Sequence, residues 1–151
     1  MTEILFYHLE RRTLDEVLPG LLERTLARGW RALVRPDSAE RAQTIDNLLW
    51  TWRDDSFLPH AQLGDGEAAL QPVLITVEEG NANHAQVLFL AGAPLLLDRD
   101  QAEFQRIVVL FDARDDVALA AARRAWVATK AAGHEATYWK QSAGGKWEKQ
   151  E

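Results

Sequence analysis

Cysteine is absent from all 151 residues. That excludes a disulfide scaffold, a thiol nucleophile, an iron–sulfur cluster and a cysteine-ligated zinc site. Long apolar runs are missing too. The most continuous, from Leu88 to Leu97, is broken by Gly92 and Pro94 and falls well short of the roughly 20 residues that span a bilayer. Met1 is followed by Thr2 and Glu3 instead of a basic stretch and an apolar core, so no secretory signal is visible and the expected compartment is the cytoplasm. There is no phosphate loop of the form G-x-x-x-x-G-K-[ST], and the isolated Gly64-Asp65-Gly66 and Gly144-Gly145 read as turns. His8, His84 and His134 stand singly, with no second histidine and carboxylate at helical spacing. Each reads as a partly buried, internally bonded side chain and not as a metal ligand.

What is present suits a globular protein. Apolar residues make up 47% of the chain and charged ones 26%, enough to build a core and keep it soluble. The net charge of −6 is unevenly spread. Residues 1–120 carry 11 basic and 20 acidic side chains, whereas residues 121–151 carry 6 basic and 3 acidic ones. The acidic body repels a nucleic-acid backbone, and the small basic end suits a compact acidic ligand.

The hydrophobic pattern alternates strand and helix. Glu3 to Leu9 is a dense apolar, β-favouring run. Leu14, Val17, Leu18, Leu21, Leu22 and Leu26 form one helix face, with Thr13 and Glu16 as a capping box, and Pro19 places the regular start near itself. Gly29 stops that helix, and Trp30 to Val34 is a short buried strand. A second helix follows Asp37 or Ser38, with Ala42, Ile45, Leu48, Leu49 and Trp52 as its buried stripe. Residues 53–72 read as a long ordered loop. Strands are expected at 72–77, 86–90 and 105–111, then a helix opened by Asp115 and ended by Gly133. Edge strands are expected near Ala136–Trp139 and Trp147. Continuous apolar strands linked by helices predict an α/β sandwich, three-layered, with a mostly parallel sheet.

One segment has a catalytic look. Asp54-Asp55-Ser56-Phe57-Leu58-Pro59-His60 holds the residue types of a hydrolase triad, without the G-x-S-x-G turn that presents a nucleophile. Turn formation accounts for it better. The six tryptophans say more. Projected around the second helix, Trp50 falls among Gln43, Asp46 and Asn47, opposite the buried stripe. Either the following loop covers it, or Trp50, Phe57, Leu58 and Pro59 form an apolar patch for a partner. On the last helix, Arg123, Trp126 and Lys130 stack three and four apart, two cations flanking an indole, either as a ridge for an acidic peptide or as the edge of the core.

Taken together, several segments resemble the chi subunit of bacterial DNA polymerase III holoenzyme. They are the Phe6-Tyr7 strand, Leu49-Trp50, Asp55-Ser56-Phe57-Leu58-Pro59-His60, the helix carrying Arg123, Trp126 and Lys130 before Ala132-Gly133, and Tyr138-Trp139-Lys140. The resemblance spans about residues 3–140 and implies one domain over 1–151, with 141–151 as a flexible tail. It further implies a nucleotide-binding type of fold without the phosphate loop, no catalytic residue, no cofactor and no metal. Two partners are implied: the psi subunit of the clamp loader, at Trp50, Phe57, Leu58 and Pro59, and the acidic, phenylalanine-ended tail of single-stranded-DNA-binding protein, at Arg123, Arg124, Trp126 and Lys130. Contact with nucleic acid would be indirect. Trp126 stands where the family often has tyrosine, and Leu119 and Val127 where it is sometimes basic. These departures imply weaker tail binding or reliance on Arg124. The alternative is a small nucleotide-binding or hydrolytic enzyme with a site near Asp54–His60.

Overall fold

The computed structural model describes residues 2–51, 60–62, 68–92 and 100–150. Strand β1 (Glu3–Leu9) leads into helix α1 (Leu14–Ala27), strand β2 (Ala32–Pro36) and helix α2 (Ala39–Thr51). After these come β3 (Ala61–Gln62), a 3₁₀ turn at Ala68–Leu70, β4 (Val73–Ile75), β5 (Val87–Ala91) and the single-turn α3 (Asp100–Glu103). Then follow β6 (Arg106–Asp112), α4 (Asp116–Ala131), β7 (Glu135–Gln141) and β8 (Trp147–Lys149). The eight strands form one sheet in the order β3-β4-β2-β5-β6-β1-β7-β8, with only the β7–β8 pair antiparallel. Helices on both faces make it a three-layer α/β sandwich.

The layers follow from strand parity. Along β1, Leu5, Tyr7 and Leu9 alternate with Ile4, Phe6 and His8 and point to opposite faces. One face packs Leu9, Val34, Ile75, Phe89 and Leu110 under Leu18 and Leu22 of α1 and Ile45 and Leu49 of α2. The other packs Ile4, Phe6, Ile107, Val109 and Phe111 under Ala118 and Ala122 of α4. The alanines let α4 approach closely. Because both faces are covered, β5 and the middle of β6 are buried without alternation, as parallel strands require.

Local chemistry sets the element ends. Thr13 Oγ1 accepts from Glu16 N at 3.2 Å, and Glu16 Oε1 accepts from Thr13 N at 2.9 Å, closing the expected capping box. The box starts α1 at Leu14, five residues ahead of Pro19, not beside the proline. The buried Pro19 removes one donor from the helix, yet the cap and the apolar stripe hold the turn around it. Ser38 Oγ accepts from Arg41 N at 3.1 Å at the head of α2, while Asp37 is drawn off to Arg41. Asp115 caps α4, and Gly133, with φ of 83°, takes the left-handed position after its end. Three further expectations shift. β2 begins at Ala32 and leaves Trp30 outside the strand; the supposed loop 53–72 contains β3 and the 3₁₀ turn; α3 lies between β5 and β6. His84 is exposed in a turn at φ of 53°, not partly buried.

Candidate functional site

In doubly wound sheets, ligands lie outside the carboxyl ends of the strands, where neighbouring connections leave to opposite faces. Here that point falls between β1 and β6. They are paired, and their connections lead to α1 on one face and α4 on the other. A crevice of about 370 Å³ opens there, lined by Asp15, Asp37, Asp112 and Asp115 with Arg41 as its cation. Arg41 Nε is held by Asp37 Oδ1 at 2.7 Å. Asp112 is held below the usual carboxylate range chiefly by its hydrogen bond from Arg114. Both helix N-termini beside the crevice are closed by their own side chains: Thr13 and Glu16 on α1, and Asp115, which accepts from Val117 N and Ala118 N, on α4. A Cβ on Gly92 would lie 2.6 Å from Asp37 Oδ2, so the glycine lets the Asp37 carboxylate close on the end of β5. The place where a phosphate would sit is anionic, and the caps already occupy Thr13 N, Glu16 N, Val117 N and Ala118 N.

The basic and aromatic side chains collect elsewhere. On α4, Arg123, Arg124 and Lys130 are exposed, and none makes an ion pair with a described residue. Trp126 sits among them half-buried. Its ring meets Phe6 at 5.4 Å and Tyr138 at 5.7 Å, both edge-to-face, and Lys130 Nζ lies 5.4 Å from its centroid. Trp126 thus closes the core edge on one side and leaves the rest of its surface beside Lys130. Val127, 65% exposed, adds an apolar neighbour.

Beneath the ridge lies a group that spacing did not reveal. His8 Nδ1 and Tyr138 Oη are 2.7 Å apart, and His8 Nε2 approaches Glu10 Oε2 at 3.4 Å. Burial is the main force holding His8 below its ordinary pKa, and the charges of Lys140 and Arg123 add to it against Glu10. Lys140 shares the face of Tyr138 on β7 and extends the basic field beyond α4. Only the parallel register of β1 with β7 brings His8 and Lys140 side by side, a pairing 132 positions apart in the chain.

On α2, Trp50 lies as the helical projection requires, opposite Ala42, Ile45 and Leu49, and is 56% exposed. His60 packs against it, ring centroids 4.8 Å apart, and directs Nε2 to Asp46 Oδ1 at 3.3 Å. His60 thus covers part of Trp50, and the residue as a whole stays more exposed than buried. Phe57, Leu58 and Pro59, with Asp54, Asp55 and Ser56, lie outside the described residues. Among the described residues no cluster of three metal-ligating side chains occurs, and no helix is long and apolar enough to cross a membrane.

Fold and surfaces together define a doubly wound α/β protein with exposed cations and partly exposed indoles on its helix faces and an acidic switch-point crevice. The chain belongs to the DNA polymerase III chi subunit (HolC) family, whose model matches residues 1–137. It is also similar to the probable DNA polymerase III subunit chi of Rickettsia prowazekii (strain Madrid E), with 25% identity over 117 residues, covering 74% of this chain and 71% of the relative. Membership gives it an accessory role in DNA polymerase III and in DNA replication.

Proposed function

We propose that this chain is a non-catalytic adaptor that joins the clamp loader, through the psi subunit, to the acidic tail of single-stranded-DNA-binding protein. The observation that carries the reading is the α4 ridge: Arg123 and Lys130, exposed and without an ion pair to a described residue, stand three and four positions from the half-buried Trp126 on an otherwise acidic chain, with Arg124 exposed beside Arg123. Guanidinium groups take carboxylates in two-point fashion, and the open part of Trp126 with Val127 offers apolar contact for a terminal phenylalanine. The tail docks beside Trp126 and Arg123, with Arg124 and Lys130 completing the field. Psi pairs at Trp50, and Phe57, Leu58 and Pro59, outside the described residues, are assigned to the same partner. The protein touches nucleic acid only through these partners and works in the cytoplasm. The enzyme alternative gains no observation, since the crevice opposes phosphate and His60 is buried against Asp46 and Trp50.

Crossed substitutions test the division of labour. Arg123→Glu should lose the tail and keep psi, and Trp50→Ala should do the reverse. Both residues are exposed, so both variants should melt close to the parent. Loss of both partners in either folded variant overturns the two-surface account.

A further inference from the structure

A second basic cavity lies in the α1 layer, across the sheet from the α4 ridge and near the amino ends of β5 and β6. It holds about 240 Å³ and is rimmed by Arg24 of α1, Arg28 at the C-cap of that helix and Arg106 of β6, with Tyr7 and Trp30 as aromatic walls and Phe89 in its floor. None of these residues belongs to the tail or psi surface. Arg28 Cζ lies 3.9 Å from the Trp30 ring centroid and Arg106 Cζ 5.5 Å from it, so the indole holds two of the three guanidiniums in place. Tyr7 is fixed from its other side by stacking on Trp147 at 4.6 Å. Its phenol is pushed above its ordinary pKa mainly by burial, while the charges of Arg106 and Arg24 pull the other way. Both cations line the same cavity as Tyr7, whose hydroxyl makes no hydrogen bond to a described residue.

Charge in this cavity is poorly balanced. Arg106 Nε bonds Glu3 Oε2 at 3.0 Å. Arg24 and Arg28 have no ion pair with a described residue, although they stand one helical turn apart, a like-charge spacing that costs stability. A chain with net charge −6 thus keeps an unneutralised guanidinium pair over an apolar floor. The volume is below the about 300–1,000 Å³ of drug-sized pockets and suits a single side chain. A long polyanion would be repelled by the acidic body, whereas a compact anion would not.

We propose that this cavity is a second anion site, which takes a carboxylate carried on one aromatic or branched apolar group, with the carboxylate on Arg24 and Arg28 and the apolar group against Trp30 and Phe89. The carboxylate can come from a free small acid or from an acidic peptide segment.

Nitrogen-15 NMR of the full chain, reading the Trp30 indole and the side-chain NH of Arg24 and Arg28, decides the matter. The probes are 3-phenylpropionate, its amide, inorganic phosphate, and a blocked Asp-Phe-Asp peptide. Saturable shifts at those signals with the phenylpropionate or the peptide, and tenfold or weaker response to the amide and to phosphate, are expected. The tighter of the two binding probes identifies the source. Arg24→Gln and Arg28→Gln should each weaken binding about tenfold, the size of a lost charge-assisted hydrogen bond. Arg123→Glu should leave it unchanged, whatever becomes of the tail. Shifts confined to α4, an equal response to amide or phosphate, or indifference to both glutamine variants would overturn the site.

Discussion

Truncation of Trp126 should damage two properties by separable amounts. The indole makes two edge-to-face ring contacts, with Phe6 and Tyr138. Such pairs contribute about 0.5–1.5 kcal/mol each beyond simple burial. A fully buried tryptophan cut to alanine costs about 3–5 kcal/mol. Trp126 is half-buried, and water can refill the outer part of the gap, so Trp126→Ala should lose about 2–3 kcal/mol. For a protein of this length each kcal/mol moves the melting temperature by about 2–4 °C, giving a fall of about 4–12 °C. Trp126→Phe keeps a ring beside both partners and should lose under about 1.5 kcal/mol. Urea unfolding and thermal melts measure the stability half. Titration with the acidic tail peptide, at a temperature where every variant is over nine-tenths folded, measures the docking half. Alanine should weaken the tail at least tenfold, and phenylalanine should recover most of that. Two results would refute the reasoning: a stability loss below about 0.5 kcal/mol, which would deny the packing, or unchanged tail affinity in Trp126→Ala, which would deny the ridge.

Two further outcomes follow from buried charge. Arg35 Nη1 meets Asp100 Oδ2 at 2.9 Å with both side chains buried, so Asp100→Ala strands a guanidinium inside the protein and should cost about 3–5 kcal/mol, seen as a lower urea midpoint at unchanged slope. His8 is held below its ordinary value, so the folded state binds fewer protons than the unfolded one once pH drops below about 6.5. Stability from this group is complete above that pH and drains away as pH falls towards the folded value; His8→Gln should flatten that part of the stability–pH curve. A carboxylate bound at Arg123 offsets the cations near His8, so the His8 NMR titration should move upward when tail peptide is added.

Much of the fold was legible because its signals are local. The Thr13–Glu16 box, the Asp115 cap, the Gly133 stop and the continuous apolar strands each need only a few neighbouring residues. Expectation and structure part where one local rule competes with another. Pro19 reads as a first-turn residue until the stronger cap at Thr13 is weighed against it. β3 is two residues long, shorter than any periodicity can register. Trp50 was legible as an outlier because a helix has a fixed period. Trp126 was ambiguous because only the register of β1 with β7 places Phe6 and Tyr138 under it. The cavity around Arg24, Arg28 and Arg106 had no sequence signal at all, since its third guanidinium comes from a strand 78 positions after Arg28.

The measurement that tests the adaptor account most directly is a titration with a peptide copying the acidic, phenylalanine-ended tail of single-stranded-DNA-binding protein, run across a salt series with the parent chain and with Arg123→Glu. An exposed cationic ridge predicts binding that weakens steadily as salt shortens the screening length from about 30 Å at 0.01 M to about 8 Å at 0.15 M. Reversal at Arg123 replaces attraction by repulsion. At about 1 kcal/mol or more for each unit charge near contact, the loss should be at least 30-fold. Absence of binding at low salt, or salt-independent binding that Arg123→Glu leaves intact, would contradict the account.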